Sequence, residues 1–276
     1  MQLNERTAVI TGAASGIGLA MTERFLAEGM NVVMADIEEA LLAERCSALA
    51  DNGASVSSIA CDVSDASQVA ALRDAALEKF GAVHLLCNNA GVASGSQLIR
   101  ERPEVLDWVV GVNVLGVGYG VSAFAPLMVE QGEGHIVNTA SEAGLVATGM
   151  LGSYHATKYA VVGLSEALSL ELQGTGVGVS CLCPELVDTM IFESTRNAPS
   201  ELGLGQPAHL PISTIESWIG TVAMNPSDVA GRVAYAVKAN RFWIITHQVT
   251  EARILQRNRD LEAGRLPRNP VGPSGL

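Results

Sequence analysis

Apolar runs of strand length alternate with helical patterns along almost the whole chain of 276 residues. The runs are unbroken stretches of Val, Ile, Leu, Cys and Ala, which is typical of parallel strands covered on both faces. This alternation predicts an α/β fold in three layers, with a doubly wound, parallel, seven-stranded sheet and helices on both faces. The predicted strands are 7–11, 31–36, 55–62, 83–88, 135–140, 177–183 and 242–246. The predicted helices are 16–28, 38–52, 64–80, 103–131, 152–175 and 227–240.

Charge and composition restrict the partners of the chain. The formal net charge of −12 disfavours binding to nucleic acid or to an anionic membrane, because both need clustered Lys and Arg. The uncharged stretch 109–129 is long enough to span a bilayer, but it contains Asn113, several glycines and Pro126 between acidic flanks. A helix buried under the sheet or between subunits is the preferred interpretation.

The five cysteines are odd in number and show no CxxC spacing, so they read as reduced core residues. No metal site is expected. The chain passes from Met1 directly into a strand without a secretory pattern, and a cytoplasmic location is expected.

Two regions break the alternation and define the predicted organisation. Residues 1–247 are expected to form a single catalytic domain, in which the long insertion 185–225 serves as a substrate lid. Residues 248–276 are expected to form a C-terminal extension, helical at first and mobile over the Pro/Gly-rich end 267–276.

A glycine-rich loop follows the first strand and opens a helix. Glycines allow close approach of the backbone, and the free N–H groups of a helix N-terminus attract a pyrophosphate. The position indicates a dinucleotide-binding loop of the Rossmann type, although a strand-to-helix turn without ligand has the same pattern. The residues concerned are Gly12, Ser15, Gly16, Ile17 and Gly18.

Asp36 ends the second strand and indicates which dinucleotide binds. A carboxylate there can accept hydrogen bonds from the adenosine ribose hydroxyls and repel the 2′-phosphate of NADP. Positions 15 and 37 hold Ser and Ile, so no neighbouring base compensates the repulsion. NAD is therefore the predicted cofactor. The alternative is that Asp36 only caps the following helix.

Tyr154 and Lys158 are four residues apart in a predicted helix and share one helix face. A free phenol is a poor base at neutral pH, because its pKa is about 10. We expect the Lys158 ammonium, together with a positively charged nicotinamide ring, to lower the pKa of Tyr154 by roughly 2–3 units. The same spacing also occurs by chance in surface helices.

Five motifs taken together resemble the short-chain dehydrogenase/reductase family, in its compact single-domain branch. They occur in family order: the glycine loop 11–18, Asp62-Val63, the run 88–91, Asn113, and Ser141 with Tyr154 and Lys158. The resemblance covers residues 5–190, with a weaker match through residue 230.

The resemblance implies a role for each matching position. Tyr154 would be the general base, Lys158 its activator and a ligand of the nicotinamide ribose, and Ser141 the partner of the substrate oxygen. Asn113 would anchor a water that relays protons from Lys158. His155, inside the motif, is expected to face away from the chemistry. The further cofactor contacts implied are Asp62, Val63, Asn89, Ala90, Gly91, Pro184, Val187 and Thr189.

The sequence departs from the family pattern at two places. Glu185 follows Pro184 where glycine is usual, which puts the local backbone geometry in doubt and could add a polar group near the substrate. The extension 248–276 replaces the usual short ending and resembles members that act on bulkier alcohols. The expected substrate pocket is mostly apolar, with Val92, Ser94, Leu145, Leu186, Met190, Ile191 and Trp218 as candidate liners or, equally, as ordinary core.

The expected function is an NAD-dependent secondary-alcohol dehydrogenase or ketone reductase for a bulky apolar, aromatic or cyclic small molecule. The alternative is a non-catalytic NAD-binding regulator, which has no chemical reason to keep Asn113, Ser141, Tyr154 and Lys158. A sugar-nucleotide epimerase or dehydratase would require another glycine spacing and a further substrate domain. The apolar helices 103–131 and 152–175 predict helix-paired interfaces in a homodimer or homotetramer.

Overall fold

The computed structural model describes residues 1–94, 97–149, 151–204, 212–219 and 221–270, without the side chains of 212, 214, 218 and 219. These residues form a seven-stranded, wholly parallel sheet in the order β3-β2-β1-β4-β5-β6-β7. The order reverses between β1 and β4, and ligands of such sheets bind at this switch point. The strands are β1 Thr7–Thr11, β2 Asn31–Asp36, β3 Val56–Ala60, β4 Leu85–Asn88, β5 Gly134–Thr139, β6 Val177–Cys183 and β7 Trp243–Ile245.

Helices cover both faces of the sheet and connect successive strands. In the described residues they are α1 Gly16–Ala27, α2 Glu39–Asp51, α3 Ala66–Phe80, α4 Pro103–Val110, α5 Gly116–Gln131, α6 Gly152–Glu171, α7 Ile212–Ile219, α8 Pro226–Ala239 and α9 Gln248–Glu262. The predicted fold class is confirmed.

Two predicted helices differ from the structure in ways that matter for the site. The run 103–131 contains a π-helical turn, Gly111–Leu115, between α4 and α5. Such turns are frequent at functional sites, and this one contains Asn113. Helix α6 ends at Glu171 rather than at 175, because Gly174 and Gly176 follow with positive φ. Most of the other predicted helix and strand ends lie within one or two residues of the observed ends.

The core consists of two apolar layers, one on each side of the sheet. Ile10 faces α1, α2 and α8, where it packs with Phe25 and Val233, whereas the adjacent Val9 faces the opposite layer. This alternation follows from the two-residue period of a strand. It also explains the unbroken apolar runs of the five inner strands, since both faces of these strands are buried, whereas the edge strands β3 and β7 are partly exposed.

The helical run Pro103–Gln131 is, within the described residues, long and apolar enough to cross a membrane by length and composition. It packs against β4, β5 and α3, and Phe124 and Met128 are fully buried there. The expected packing of this helix beneath the sheet is confirmed.

The insertion after β6 and the C-terminal extension both lie over the carboxyl end of the sheet. The insertion begins and ends in one short bridge, in which Asp188 N donates to Met224 O at 3.0 Å and Met224 N donates to Leu186 O at 3.0 Å. Between these ends the described residues form two 3₁₀ helices, Met190–Asn197 and Ser200–Leu202, followed by α7. Helix α9 forms the first part of the extension. Of the tail predicted to be mobile, Asn269 and Pro270 line the cleft, and 271–276 lie outside the described residues.

Candidate active site

The glycine loop joins β1 to α1 in a turn that leaves no room for a side chain at Gly12 or Gly18. Gly12 has φ +65°, and an added Cβ would lie 2.9 Å from Ala90 Cα. A Cβ on Gly18 would lie 1.9 Å from Gly12 O. Glycine is therefore required at both positions, and the N-terminus of α1 is kept open toward the cleft. This cradle fits a pyrophosphate, whose oxygens would accept from the free N–H groups.

Asp36 lies at the carboxyl end of β2 and is nearly buried, with 8% of its surface exposed. Its Oδ2 accepts from Ala14 N at 2.9 Å, and its Oδ1 accepts from Glu38 N at 3.0 Å. Helix α2 begins at Glu39, so Asp36 supports the turn before the helix and is not its cap residue. A carboxylate has about four acceptor positions, which leaves two for ribose hydroxyls.

Asn89 ties the glycine loop to the neighbouring strands. Its Nδ2 donates to Thr11 O at 3.0 Å, and its Oδ1 accepts from Thr139 Oγ1 at 3.3 Å. The side chain is thus engaged within the protein, and only its backbone remains for the predicted cofactor contact. Asp62 Oδ1 similarly accepts from Ser64 N at 2.9 Å and holds the loop beside Val63.

Ser141, Tyr154 and Lys158 meet at one wall of the cleft. Ser141 follows β5, whereas Tyr154 and Lys158 are one turn apart on α6. The Tyr154 side chain hydrogen-bonds with Ser141, and Lys158 Nζ lies 5.5 Å from the centre of the Tyr154 ring. Lys158 Nζ also donates to Thr139 O at 2.8 Å. The three predicted side chains are therefore neighbours.

The protein's own side chains do not produce the expected lowering of the Tyr154 pKa. Burial raises the pKa of the Tyr154 phenol above its usual value, and the hydrogen bond with Ser141 opposes this only in part. Burial also lowers the pKa of the Lys158 ammonium to about 8. In the polypeptide alone the pKa of Tyr154 is therefore raised, and its lowering by Lys158 together with a positively charged nicotinamide ring stays a prediction.

Asn113 lies in the π-helical turn and is almost fully buried, with 1% of its surface exposed. Its Oδ1 accepts from Val92 N at 2.8 Å, and its Nδ2 donates to Val92 O at 2.9 Å and Thr157 Oγ1 at 3.1 Å. A Cβ on Gly91 would lie 3.4 Å from Asn113 Oδ1 and 3.5 Å from Lys158 Nζ. Both amide hydrogens of Asn113 are therefore used in holding this loop beside Lys158, and one acceptor position of Oδ1 is left.

A cleft of about 1200 Å³ connects these groups. It exceeds the 300–1000 Å³ typical of a single small ligand, as a dinucleotide plus a substrate requires. Except for Gly18 and Asn113, every predicted catalytic or cofactor residue lines it. His155 also lines it, contrary to expectation, but its ring nitrogens are bonded to Thr148 and to Ala143 O.

The candidate substrate liners divide into two groups. Val92, Leu186, Met190 and Ile191 line the cleft. Leu145 packs in the core instead, and Ser94 hydrogen-bonds with Glu101 and Ser153. The side chain of Trp218 lies outside the described part of the chain. Glu185 has an ordinary backbone conformation, so the loss of glycine does not strain the chain there, and its carboxylate adds the polar group that was anticipated.

Sequence reasoning missed two ion-paired groups at opposite ends of the cleft. At the end beside Asp36, Arg196 of the insertion after β6 forms a bidentate pair with Glu38, at 3.1 Å from Nε and 2.7 Å from Nη2. At the other end, Arg253 of α9 pairs with Glu142 and Glu185. Both arginines are far in sequence from their partners, so no local motif could have indicated them.

The chain belongs to the short-chain dehydrogenase family, which it matches over residues 6–200. It is similar to a short-chain dehydrogenase/reductase from Burkholderia phymatum whose crystal structure is a complex with NAD. The TM-score is 0.91 and the identity 41%, covering 99% of this chain and 100% of the other. The family assignment and the Rossmann-type fold are thereby confirmed.

Two relatives are dehydrogenases of hydroxy compounds. The 1-deoxy-11-beta-hydroxypentalenate dehydrogenase of Streptomyces exfoliatus is 35% identical over 262 residues, or 94% of this chain and 88% of the relative. The 2-(R)-hydroxypropyl-CoM dehydrogenase of Xanthobacter autotrophicus is 38% identical over 201 residues, or 70% of this chain and 79% of the relative. The chain is accordingly an oxidoreductase for a small molecule, in a family that uses nicotinamide dinucleotides.

Proposed function

We propose that this protein is an NAD-dependent dehydrogenase that interconverts a secondary alcohol and a ketone, with Tyr154 as general acid and base. The main support for the proposal is that Ser141, Tyr154 and Lys158 line the same cleft as the glycine loop and Asp36. The NAD in the Burkholderia phymatum relative and the hydroxy substrates named for the other relatives support it.

Each side chain has a task in the proposed reaction. Tyr154 takes the hydroxyl proton of the alcohol while hydride leaves its carbon, and Ser141 donates to the substrate oxygen. A nicotinamide dinucleotide held in the cleft would accept the hydride and, in its oxidised form, would supply the positive charge that lowers the pKa of Tyr154. Lys158 binds the nicotinamide ribose, and Asn113 supports the water that relays its proton.

Asp36 supports NAD as the cofactor rather than NADP. Its carboxylate is oriented by two backbone N–H groups at the end of β2 and would face a 2′-phosphate with like charge. Arg196 lies close to this end of the cleft, but its guanidinium is held by Glu38. The pair therefore offers no free cation to a 2′-phosphate.

The aliphatic side chains Val92, Leu186, Met190 and Ile191 support a bulky apolar, aromatic or cyclic alcohol as substrate. A homodimer or homotetramer is also part of the proposal. Leu115 and Val129 on the helical run 103–131 are 44% and 40% exposed, and Leu170 on α6 is 67% exposed. Light scattering at micromolar concentration tests this, and a monomer there would contradict it.

Two measurements test the function. Fluorescence titration with NADH and NADPH should show tighter binding of NADH, and a panel of aromatic and cyclic secondary alcohols should reveal turnover with NAD. The Tyr154→Phe variant should lose about 10²- to 10⁴-fold in kcat while it still binds NADH, because general acid–base catalysis contributes about that much. Tyr159→Phe, which changes the neighbouring tyrosine of α6, is the matched control.

The outcomes separate the two candidate functions. Turnover retained by Tyr154→Phe would show that the assigned base is wrong. NADH binding without turnover of any alcohol or ketone would favour the non-catalytic NAD-binding regulator.

A further inference from the structure

Arg253 of α9 joins two loops that flank the candidate catalytic groups. Its Nη1 donates to Glu142 Oε1 at 3.0 Å and Oε2 at 2.9 Å, and also to Glu185 Oε1. All three side chains are nearly buried: 11% of Arg253, 11% of Glu142 and 5% of Glu185 are exposed. Thr221 Oγ1 donates a further bond to Glu185 at 2.8 Å.

The two carboxylates belong to the residues next to Ser141 and Pro184. Glu142 N donates to Pro184 O at 2.7 Å, and Ser141 Oγ donates to the same carbonyl at 3.3 Å. Tyr154 is the alternative acceptor for the single Ser141 hydroxyl proton, and a bond from Ser141 lowers the pKa of Tyr154. The arginine of the C-terminal extension is therefore connected to the phenol through Glu142 and the adjacent Ser141.

The charges show why the arginine is needed. The two carboxylates accept hydrogen bonds from one guanidinium nitrogen and so lie close together in a partly desolvated site. Without the positive charge of Arg253 they would repel each other. The neighbouring Glu185 and burial both raise the pKa of Glu142, and Arg253 opposes this. His247 is a further titratable group whose pKa responds to Glu185 and Arg253. Glu185 replaces the usual glycine and Arg253 belongs to the unusual extension, so the two departures from the family pattern are partners in one contact.

We propose that Arg253 is a positioning residue, which orients Ser141 toward Tyr154 by clamping Glu142 and Glu185. The C-terminal extension then contributes Arg253 to the active site, and removal of the extension would lower both activity and stability. This inference rests on the proposed function, since Ser141 and Tyr154 must be the reacting pair.

The test compares two arginines of the same helix. Arg257 stacks on Tyr159 at 5.5 Å and so also attaches α9 to α6, but no hydrogen bond joins it to Glu142 or Glu185 in the described structure. The variants Arg253→Met, Arg253→Lys and Arg257→Met are compared with the wild type in four measurements. These are Tm, NADH affinity by fluorescence, kcat for the best alcohol of the panel, and the pH profile of kcat.

Arg253→Met should lower kcat about 10- to 100-fold, because small displacements of reacting groups cost about that much. The apparent pKa at which its kcat rises with pH should increase by about half a unit or more, since Tyr154 loses a hydrogen bond that lowers its pKa. NADH affinity should stay within about twofold, as the adenosine end is untouched. Arg253→Lys should be intermediate, because an ammonium cannot reproduce the guanidinium geometry.

Arg257→Met should change Tm but neither kcat nor the pH profile. Equal kinetic effects of Arg253→Met and Arg257→Met would overturn the inference, because attachment of the helix would then suffice. If Arg253→Met does not fold, the triple variant Arg253→Met, Glu142→Gln, Glu185→Gln, which removes all three charges, replaces it. A triple variant with the kcat and pH profile of the wild type would also overturn the inference. Absence of turnover in the wild type with every alcohol would instead refute the proposed function.

Discussion

Replacement of Lys158 by Met should stabilise the free protein at neutral pH while it removes activity. Lys158 is 3% exposed, and burial lowers the pKa of its ammonium from 10.5 to about 8. The unfolded chain therefore binds more protons than the folded one between about pH 8 and 10.5. The free energy of unfolding of the wild type rises with pH across this window.

The size of the effect follows from the difference between the two pKa values. About 2.5 units correspond to about 3 kcal/mol, by which the charged ammonium destabilises the fold at pH 8 and below. The methionine variant avoids this cost but leaves Thr139 O without its donor, which costs about 1 kcal/mol. We therefore expect Lys158→Met to be about 1–3 kcal/mol more stable at pH 7, with the advantage disappearing near pH 10.

Urea unfolding followed by circular dichroism at pH 7, 8, 9 and 10 measures this difference. Lys238→Met is the control, because Lys238 pairs with Glu28 at the surface and is 42% exposed. Its stability difference from the wild type should stay small and independent of pH over this range. A destabilised Lys158→Met at pH 7, or a difference that does not change with pH, would refute the reasoning.

Two further predictions concern the adenosine end of the cleft. Asp36→Ala should weaken NADH binding and reduce the preference for NADH over NADPH by about 100-fold. This follows because the Asp36 carboxylate and a 2′-phosphate at ~4 Å, with an effective dielectric constant of ~20, repel each other by about 4 kcal/mol before screening by salt reduces the effect. Asp36→Asn isolates the charge, and an unchanged NADH/NADPH ratio would count against the ribose role. Glu38→Gln and Arg196→Met should each raise the dissociation rate of NADH about two- to fivefold in stopped-flow fluorescence, because the half-buried pair joins the insertion 185–225, which we expect to act as a lid, to the β2–α2 turn. Glu133→Gln, which breaks an ion pair elsewhere, should leave that rate unchanged, and equal rates for all three variants would argue that the pair does not restrain the lid.

The sequence by itself determined the layers of the fold and most of the site. Unbroken apolar runs identified the strands, because a strand buried on both faces carries no alternation. The glycine loop and Asp36 could be located for a similar reason, since each follows a strand at the same edge of a parallel sheet. Tyr154 and Lys158 could be paired because helical periodicity alone places them on one face.

Only the tertiary structure decided the electrostatics and the walls of the cleft. The pKa of Tyr154 depends on how much water burial removes, which no spacing of residues reveals. Leu145 and Leu186 are equally apolar, yet one packs in the core and the other lines the cleft. Arg196 lies 158 positions from its partner Glu38 in the sequence, and Arg253 lies 111 and 68 positions from Glu142 and Glu185. Local patterns record periodicity over a few residues, whereas contacts of this length exist only after the whole sheet has brought its carboxyl ends together.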